Sequence, residues 1–360
     1  MKKPMPIRKV KTYKGDWYSI NSIFGNDWAQ IYILLGGREA GKSYASMRWA
    51  IKRKLKGNEK VKFYWFRLTE TSQKKLLLGG AADLIDPDLR RKYRIKTQVK
   101  GNSVQTYKEE VTKTKDGIEK KKKKDVKEFC RVLACSTFYN DKGVGYFDKD
   151  FDGEYIVILD EMNRESNEPN RFDIVYAFTN QLENVLRSVN KKVRVILIGN
   201  TLDEASDILS AFNFIPDGFG RFYLKRQRVV IDNIAPSDKY KERRKDALAN
   251  RICGDASTFT NEVEIDRSLL VNKRKAVKIS SIIKFGKSKS LWFSLYQGGV
   301  IKGYSGESCK DTIAMLPYMD EIYDQRRVDM IRDVFNVRGF TFTNLSTFKR
   351  FQKQLRLLKK

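Results

Sequence analysis

The sequence predicts an α/β fold built on a central, mostly parallel sheet, and three stretches support this prediction. An apolar run at 31–35 leads into a glycine-rich turn at 36–43, and apolar residues at helical spacing follow through 44–51. Two further apolar runs, 154–161 and 193–201, end in polar residues. Buried strands that alternate with helical patterns are typical of α/β domains with a parallel sheet.

The turn at 36–43 fits G-x-x-x-x-G-K-[ST], with Gly36, Gly41, Lys42 and Ser43 at the fixed positions. Glycines let the backbone turn its N–H groups onto a phosphate, and the following helix adds its positive dipole end. The alternative is a glycine-rich strand–helix turn with no ligand. The predicted nucleotide-binding residues are Gly36, Gly37, Arg38, Glu39, Ala40, Gly41, Lys42, Ser43 and Tyr44.

The apolar run 154–161 ends in Asp160-Glu161, the pattern of a Walker B strand. Asp160 and the Ser43 hydroxyl are the predicted Mg²⁺ ligands, and Lys42 would reach the β- and γ-phosphates. Glu161 is the predicted general base that polarises the attacking water. A strand that ends in acids is a weak signal alone, but downstream of a phosphate loop it favours a hydrolysing ATPase.

The strand at 193–201 ends in Asn200 and Thr201. Ligands of open α/β sheets bind at the carboxyl ends of strands, so both residues are candidate sensors of the γ-phosphate. A role for Asn200 and Thr201 in an ordinary turn after the strand explains these residue types equally well. Aromatic residues that precede the first strand could stack on adenine or pack over the sheet edge. They are Tyr13, Trp17, Tyr18, Phe24 and Trp28.

Composition narrows the class of protein. The 360 residues carry 72 Lys and Arg against 44 Asp and Glu, a net charge of +28, which indicates a polyanionic partner. Nucleic acid is the first choice and an anionic membrane surface the second. The absence of histidine excludes catalysis by a histidine, and four cysteines without a C-x-x-C pair argue against structural zinc. No membrane-spanning run or secretory signal is evident, so we expect a cytoplasmic protein.

Residues 91–128 predict extended β-hairpins, with 14 basic and 6 acidic residues in this span. A flexible basic arm on DNA phosphates and a solvated loop tip without a partner are equally good interpretations. The candidate DNA-binding residues form one run, Lys120, Lys121, Lys122, Lys123 and Lys124.

The predicted domains are an ATPase domain at 1–234, a linker subdomain at 235–277 and an α+β domain at 278–360. The linker contains a charged stretch at 239–245 that suggests an exposed helix. The last domain is expected to hold a β-hairpin over 290–304, a strand at 339–342, and helices near 321–335 and 347–358.

With both Walker elements placed, the chain resembles the phi29-like DNA-packaging ATPases of small tailed phages. The resemblance rests on the stretches 36–44, 160–161 and 197–201, and it covers the layout of about 1–235. It implies an ASCE-type P-loop domain, a linker and an RNase H-like C-terminal domain. Arg38 in the phosphate loop is typical of such ATPases, and Arg187 is similar in position to a residue that reaches the neighbouring subunit's ATP.

The resemblance also implies partners and a setting. These are ATP with Mg²⁺, double-stranded DNA, a procapsid portal or connector, and a homopentameric ring, with the need for a scaffold RNA left open. The setting is the host cytoplasm, with transient attachment to the procapsid. Because 280–305 has no carboxylate before Glu307, we expect no nuclease activity. The other hypotheses are a helicase or remodeler, a P-loop kinase, and a nucleotide-regulated binding protein.

Overall fold

The computed structural model describes most of the chain. The described residues are 5–8, 17–25, 28–56, 60–113, 119–143, 151–163, 172–187, 192–200, 207–212, 214–216, 218–245, 247–248, 278–285, 292–296, 300–304, 314–316, 325–337, 339–342 and 345–356. The chain divides into two compact units, Met1–Leu202 with Gly218–Val263, and Asp203–Asp217 with Glu264–Lys360.

The first unit contains a ten-stranded sheet in the order β1-β9-β10-β2-β8-β7-β3-β6-β5-β4. The strands are β1 Met5–Arg8, β2 Ile31–Gly36, β3 Val61–Arg67, β4 Lys96–Lys100, β5 Ser103–Lys113, β6 Glu119–Ala134, β7 Glu154–Asp160, β8 Val193–Asn200, β9 Gly220–Leu224 and β10 Val229–Asn233. The mixed, mostly parallel α/β fold predicted from the sequence is confirmed.

Six neighbouring strands, β10 to β6 in that order, are parallel to one another. Every residue of β7 is buried, as expected for a strand covered on both faces. β8 lies between the phosphate-loop strand β2 and the Asp160 strand β7, with Gly36 opposite Asn200 and Asp160 opposite Ile198. The carboxyl ends of β2, β8 and β7 therefore meet at one edge.

The described residues of the first unit form the helices α1 Lys42–Ile51, α2 Glu70–Ala81, α3 Pro87–Tyr93, α4 Ile174–Leu186 and α6 Asp238–Lys245. Local sequence explains the starts of two of them. The Thr69 hydroxyl accepts the Ser72 N–H at α2, and the Asp173 carboxylate accepts the Tyr176 N–H at α4.

The basic insertion is a long antiparallel hairpin, β5 with β6, extended by β4. The lysine run was expected at a loop tip or on a flexible arm, but it lies within β6, where Lys122 is opposite Glu110 and Lys123 is opposite Glu109. Pairing with the acidic residues of β5 favours a regular strand there. Cross-strand charge pairs of this kind stabilise antiparallel sheets.

Strands β9 and β10 form a hairpin, and β10 lies inside the sheet because it also pairs in parallel with β2. The prediction about residues 239–245 needs correction. The charged helix expected to be exposed is α6, in which Tyr240 and Arg244 are buried. A run of mostly basic residues hides the burial of Arg244, because the arginine stem is apolar and its head is paired.

The second unit contains a five-stranded sheet in the order β14-β11-β12-β13-β15. Its strands are β11 Lys278–Phe285, β12 Trp292–Tyr296, β13 Val300–Tyr304, β14 Ala314–Leu316 and β15 Thr341–Phe342. Its helices are α5 Asp207–Ala211, α7 Gln325–Asn336 and α8 Leu345–Arg356. Phe293, Phe342 and Phe351 pack at its core. The expected hairpin, strand and two helices are present; the RNase H-like assignment and the domain boundaries stay predictions.

Within the described residues, none of the helices is long and apolar enough to cross a membrane.

Candidate nucleotide site

The phosphate loop joins β2 to α1 in the geometry that its glycines require. Gly41 has φ +87°, and a Cβ there would lie 3.0 Å from Cε3 of Trp17, so only glycine fits without strain. Gly41 is also the N-cap of α1, where the structure shows no side-chain cap. The first N–H groups of this helix are therefore available to an anion.

Lys42 is buried and bends back over the loop. Its Nζ donates hydrogen bonds to the carbonyl oxygens of Gly36 at 2.8 Å and Gly37 at 2.7 Å. Burial lowers the pKa of Lys42 to about 8, and the charge of Asp160 opposes this shift. A phosphate group would replace the carbonyl oxygens as a stronger, charged acceptor.

Ser43 and Asp160 lie in direct contact, although 117 positions separate them in the chain. The Ser43 hydroxyl donates to Asp160 Oδ1 at 2.8 Å. Two adjacent hard oxygen donors suit Mg²⁺, which takes few protein ligands and keeps several waters. The pair predicted from the sequence to hold the metal therefore fits that role.

Arg67, at the carboxyl end of β3, is a site residue that the sequence reasoning missed. Its Nη2 lies 3.4 Å from Asp160 Oδ2, and its Nη1 forms an ion pair with Glu161 Oε2. Glu161 itself has φ +59°, a left-handed conformation that is costly for glutamate. The rule that ligands gather at strand carboxyl ends could have found Arg67, because β3 adjoins β7 in the sheet.

The phosphate loop, Asp160 and Glu161 surround one open cleft of about 810 Å³. Its walls come from the phosphate loop, the ends of β7 and β8, and the first turn of α2. The lining residues are Arg38, Glu39, Ala40, Gly41, Lys42, Ser43, Tyr44, Leu68, Thr69, Ser72, Asp160, Glu161, Asn163, Ile198, Gly199 and Asn200. The cleft thus brings together most of the nucleotide-binding, metal-binding and catalytic residues predicted from the sequence.

Asn163 and Asn200 adjoin each other among the residues that line the cleft. The Asn163 side-chain amide donates to the carbonyl oxygen of Asn200 at 3.4 Å. Asn163 fits only because residue 199 is glycine, since a Cβ there would lie 2.7 Å from Asn163 Nδ2. Sequence reasoning missed Asn163, which stands two residues after Glu161 without a motif. Thr201, the other candidate sensor, lies outside the described residues.

Two predicted functional elements lie away from this cleft. Arg187 is exposed at the C-cap of α4, with φ +46°, and is not among the described residues that line the cleft. Lys120 to Lys124 lie in β6, and the side chains of Lys121 to Lys124 are exposed.

The architecture of this chain is similar to that of solved phage packaging motors. The bacteriophage phi29 viral genome packaging motor assembly matches with TM-score 0.62 and 16% identity, covering 96% of this chain and 100% of that one. The phi28 gp11 DNA packaging motor matches with TM-score 0.57 and 13% identity, covering 96% and 99%. The chain has the fold of the phage DNA-packaging motors.

This packaging-motor fold was predicted from the sequence by its Walker elements, and the structural match confirms that recognition at the level of fold. No protein-family model and no curated protein sequence matches the chain. At such low identity the match carries the fold alone, so the chemistry rests on the residues in the cleft.

Proposed function

We propose that this protein is an ATP-hydrolysing motor that translocates double-stranded DNA into a viral procapsid. One observation carries the proposal: Lys42, the Ser43–Asp160 pair and Glu161 meet in one cleft on a packaging-motor fold. A kinase for a small substrate or a passive binding protein would not need a glutamate beside Asp160 at this edge.

The residues of the cleft have separate tasks. The loop amides and the N-terminus of α1 bind the phosphates, and Lys42 leaves the loop carbonyls to neutralise the β- and γ-phosphates. Ser43 and Asp160 would hold Mg²⁺, which would offset the negative charge of the phosphates when bound. Arg38 and Tyr44 line the same cleft and would border the nucleotide.

Glu161 would accept a proton from the attacking water, which can reach its side chain because 64% of it is exposed. In the structure its carboxylate is held by Arg67. Glu161 must leave this ion pair, or share it, before it orients a water against the γ-phosphate. Asn200 and Asn163 line the cleft side by side, and Asn200 would sense the γ-phosphate.

Hydrolysis in this proposal is shared between subunits. Arg187 is exposed and away from its own cleft, so it would act on the nucleotide of a neighbouring copy in a homopentameric ring. A guanidinium is permanently charged and forked, which suits the charge spread over a transferring phosphoryl group. The ring, its attachment to a portal or connector at the procapsid, a scaffold RNA and action in the host cytoplasm are part of the proposal.

DNA would be held through its phosphates, since the net charge is +28. The hairpin offers a specific surface. Lys124 pairs with Glu110 and Lys123 donates to Gln98, whereas Lys121 and Lys122 are exposed neighbours on opposite faces of the same strand. These lysines are the proposed DNA contacts. Cleavage of DNA is not part of the proposed function, because residues 280–305 carry no carboxylate.

The experiment that tests the proposal measures ATP turnover by the full-length chain with and without double-stranded DNA. Lys42→Ala should abolish turnover, and turnover near wild type in that variant would contradict the site. A forked duplex separates the proposal from a helicase, because a packaging motor should release no single strand. Turnover near zero even with DNA and procapsids would favour a nucleotide-regulated binding protein instead.

A further inference from the structure

Helix α6 contacts the phosphate loop through three side chains. The Tyr240 hydroxyl donates to the carbonyl oxygen of Arg38 at 2.9 Å. Arg243 Nη2 donates to the carbonyl oxygen of Glu39 at 2.9 Å, and Arg244 Nη1 pairs with the Glu39 carboxylate at 2.7 Å. Backbone and side chain of one loop segment are therefore fixed by a helix about 200 positions later in the chain.

The loop segment that α6 contacts is strained. Glu39 has φ +61°, in the left-handed region that glutamate avoids. Such a conformation persists only where surrounding contacts determine it. Arg243 and Arg244 supply two of those contacts, to the carbonyl and to the carboxylate of the same residue.

The contact continues to the other end of the loop. The Arg243 guanidinium lies 3.8 Å from the ring centroid of Trp17, and Trp17 lies against Gly41, the N-cap of α1. Arg244 is only 6% exposed, so its charged group is buried against the loop and has little contact with solvent. A charged residue is rarely this buried unless it is paired.

We propose that Tyr240, Arg243 and Arg244 are positioning residues that hold the phosphate loop in its nucleotide-receiving conformation. Docking of α6 on the loop and occupancy of the cleft are then thermodynamically linked. A nucleotide that binds the ordered loop more tightly must also favour the docked helix, and the docked helix must raise nucleotide affinity by the same factor. The inference rests on the proposed nucleotide site and adds an element outside the Walker motifs to it.

Helix α6 precedes the main part of the second compact unit in the sequence. After α6 the sequence continues to residues 264–360, the main part of the second compact unit. A displacement of α6 would therefore change the geometry of Arg38 and Glu39 without any change at Lys42 or Asp160. The helix is a place where events later in the chain can alter nucleotide affinity.

The test compares ADP binding by calorimetry to the full-length chain and to two double variants. Arg243→Ala with Arg244→Ala removes two loop contacts. Lys241→Ala with Lys245→Ala is the matched control, because it removes the same charge from exposed positions of the same helix. We expect the Arg243→Ala, Arg244→Ala variant to bind ADP at least about 5-fold more weakly than wild type, the lower end of typical coupling between two linked sites. The control should bind ADP as wild type does. Tyr240→Phe, which keeps the ring, should also weaken binding and serves where the double variant fails to fold.

Hydrogen exchange of residues 238–245 gives a second measurement. ADP should slow amide exchange in α6 of the wild type, although none of the side chains of this helix lines the cleft. Equal ADP affinity in both double variants, or α6 exchange unchanged by ADP, would overturn the linkage. A wild-type chain that binds no ADP would instead overturn the nucleotide site itself, so the two failures are distinguishable.

Discussion

Arg67 and Glu161 form an ion pair at the carboxyl ends of the neighbouring strands β3 and β7, and the two side chains differ in exposure to solvent. The Arg67 side chain is 13% exposed, whereas that of Glu161 is 64% exposed. Arg67 is therefore the more buried partner and Glu161 the one that water can reach. The pair holds the proposed base in a position set by β3.

The first prediction concerns this pair. Arg67→Ala should raise ATP turnover in the absence of DNA by roughly 5-fold, because an ion pair of about 1 kcal/mol no longer holds Glu161. Steady-state phosphate release measures it. Arg53→Ala is the control, since Arg53 pairs with Glu154 at the far end of β7. A fall to the level of a variant without the base would mean that Arg67 assists hydrolysis.

The second prediction separates binding from chemistry. Glu161→Gln keeps the size of the side chain and removes its ability to accept a proton. ATP should still bind with Mg²⁺, while turnover falls by about 10² to 10⁴, the usual contribution of a general base. Calorimetry measures the binding and phosphate release the turnover. Loss of ATP binding would show that Glu161 has a structural role.

The third prediction follows from the pKa of Lys42, which burial lowers to about 8. A bound triphosphate favours the charged lysine and raises this pKa. Nucleotide binding therefore takes up a proton above pH 8, and affinity should fall as pH rises through 8, by up to about tenfold per unit. Calorimetry in buffers of different ionisation enthalpy measures both effects. A constant affinity from pH 7 to 9 would contradict the assignment.

The same shift affects folding in the opposite sense. The pKa of Lys42 is lower in the folded chain than in the unfolded one, so the unfolded chain binds more protons between about pH 8 and 10.5. The contribution of this residue to stability therefore rises with pH across that window. As pH rises from about 8 to 10.5, nucleotide affinity should therefore fall while the contribution of Lys42 to the stability of the nucleotide-free protein rises.

The fourth prediction concerns DNA. The logarithm of affinity should fall linearly with the logarithm of salt concentration, by about 0.9 per neutralised phosphate, with little dependence on sequence. Lys121→Ala with Lys122→Ala should make the slope shallower by up to about 1.8. Lys75→Ala with Lys92→Ala, two exposed lysines of α2 and α3, is the charge-matched control. Equal slopes in the two variants would remove the hairpin from the DNA interface.

The fifth prediction is that Arg187 acts on a neighbouring subunit. Arg187→Ala alone should lose about 10³ to 10⁵ in turnover, the usual worth of an arginine finger. Mixing it with Glu161→Gln should restore turnover, because the Glu161→Gln chain still donates Arg187 to an intact neighbouring cleft. Recovery is measured in rings shown to be mixed.

Two results would contradict this role. Full activity of Arg187→Ala would end the hypothesis, and no recovery in mixed rings would count against action between subunits. Arg226→Ala, at another exposed arginine of the first unit, controls for the loss of one positive charge.

The core of the site was predictable because its residues follow strands whose apolar runs are continuous. Lys42, Asp160 and Glu161 each stand beside such a run, and parallel strands bring their carboxyl ends together. Arg67 and Asn163 were missed because an arginine or asparagine near the end of a strand has no motif. Only the fold shows that Asn163 lines the cleft and that Arg67 contacts Asp160 and Glu161.

The role of α6 was equally hidden. Its residues carry so many charges that the pattern predicts an exposed helix, and burial of Arg244 depends on a partner, Glu39, that is distant in sequence. Long-range ion pairs leave no periodicity in either segment. The lysine run in β6 was read as irregular for the same reason, since its acidic partners lie on another strand.

The placement of β2 has a consequence for how the chain folds. Residues 31–36 are synthesised early, yet both of their neighbours in the sheet, 193–200 and 229–233, come much later. The phosphate-loop strand must stay unpaired until most of the first unit has been made, while the local hairpin β5–β6 needs no distant segment. Assembly dominated by such non-local pairing is slow, and an apolar strand without neighbours is prone to aggregate. A nascent chain stopped before residue 229 would expose one edge of β2 and remain a target for chaperones.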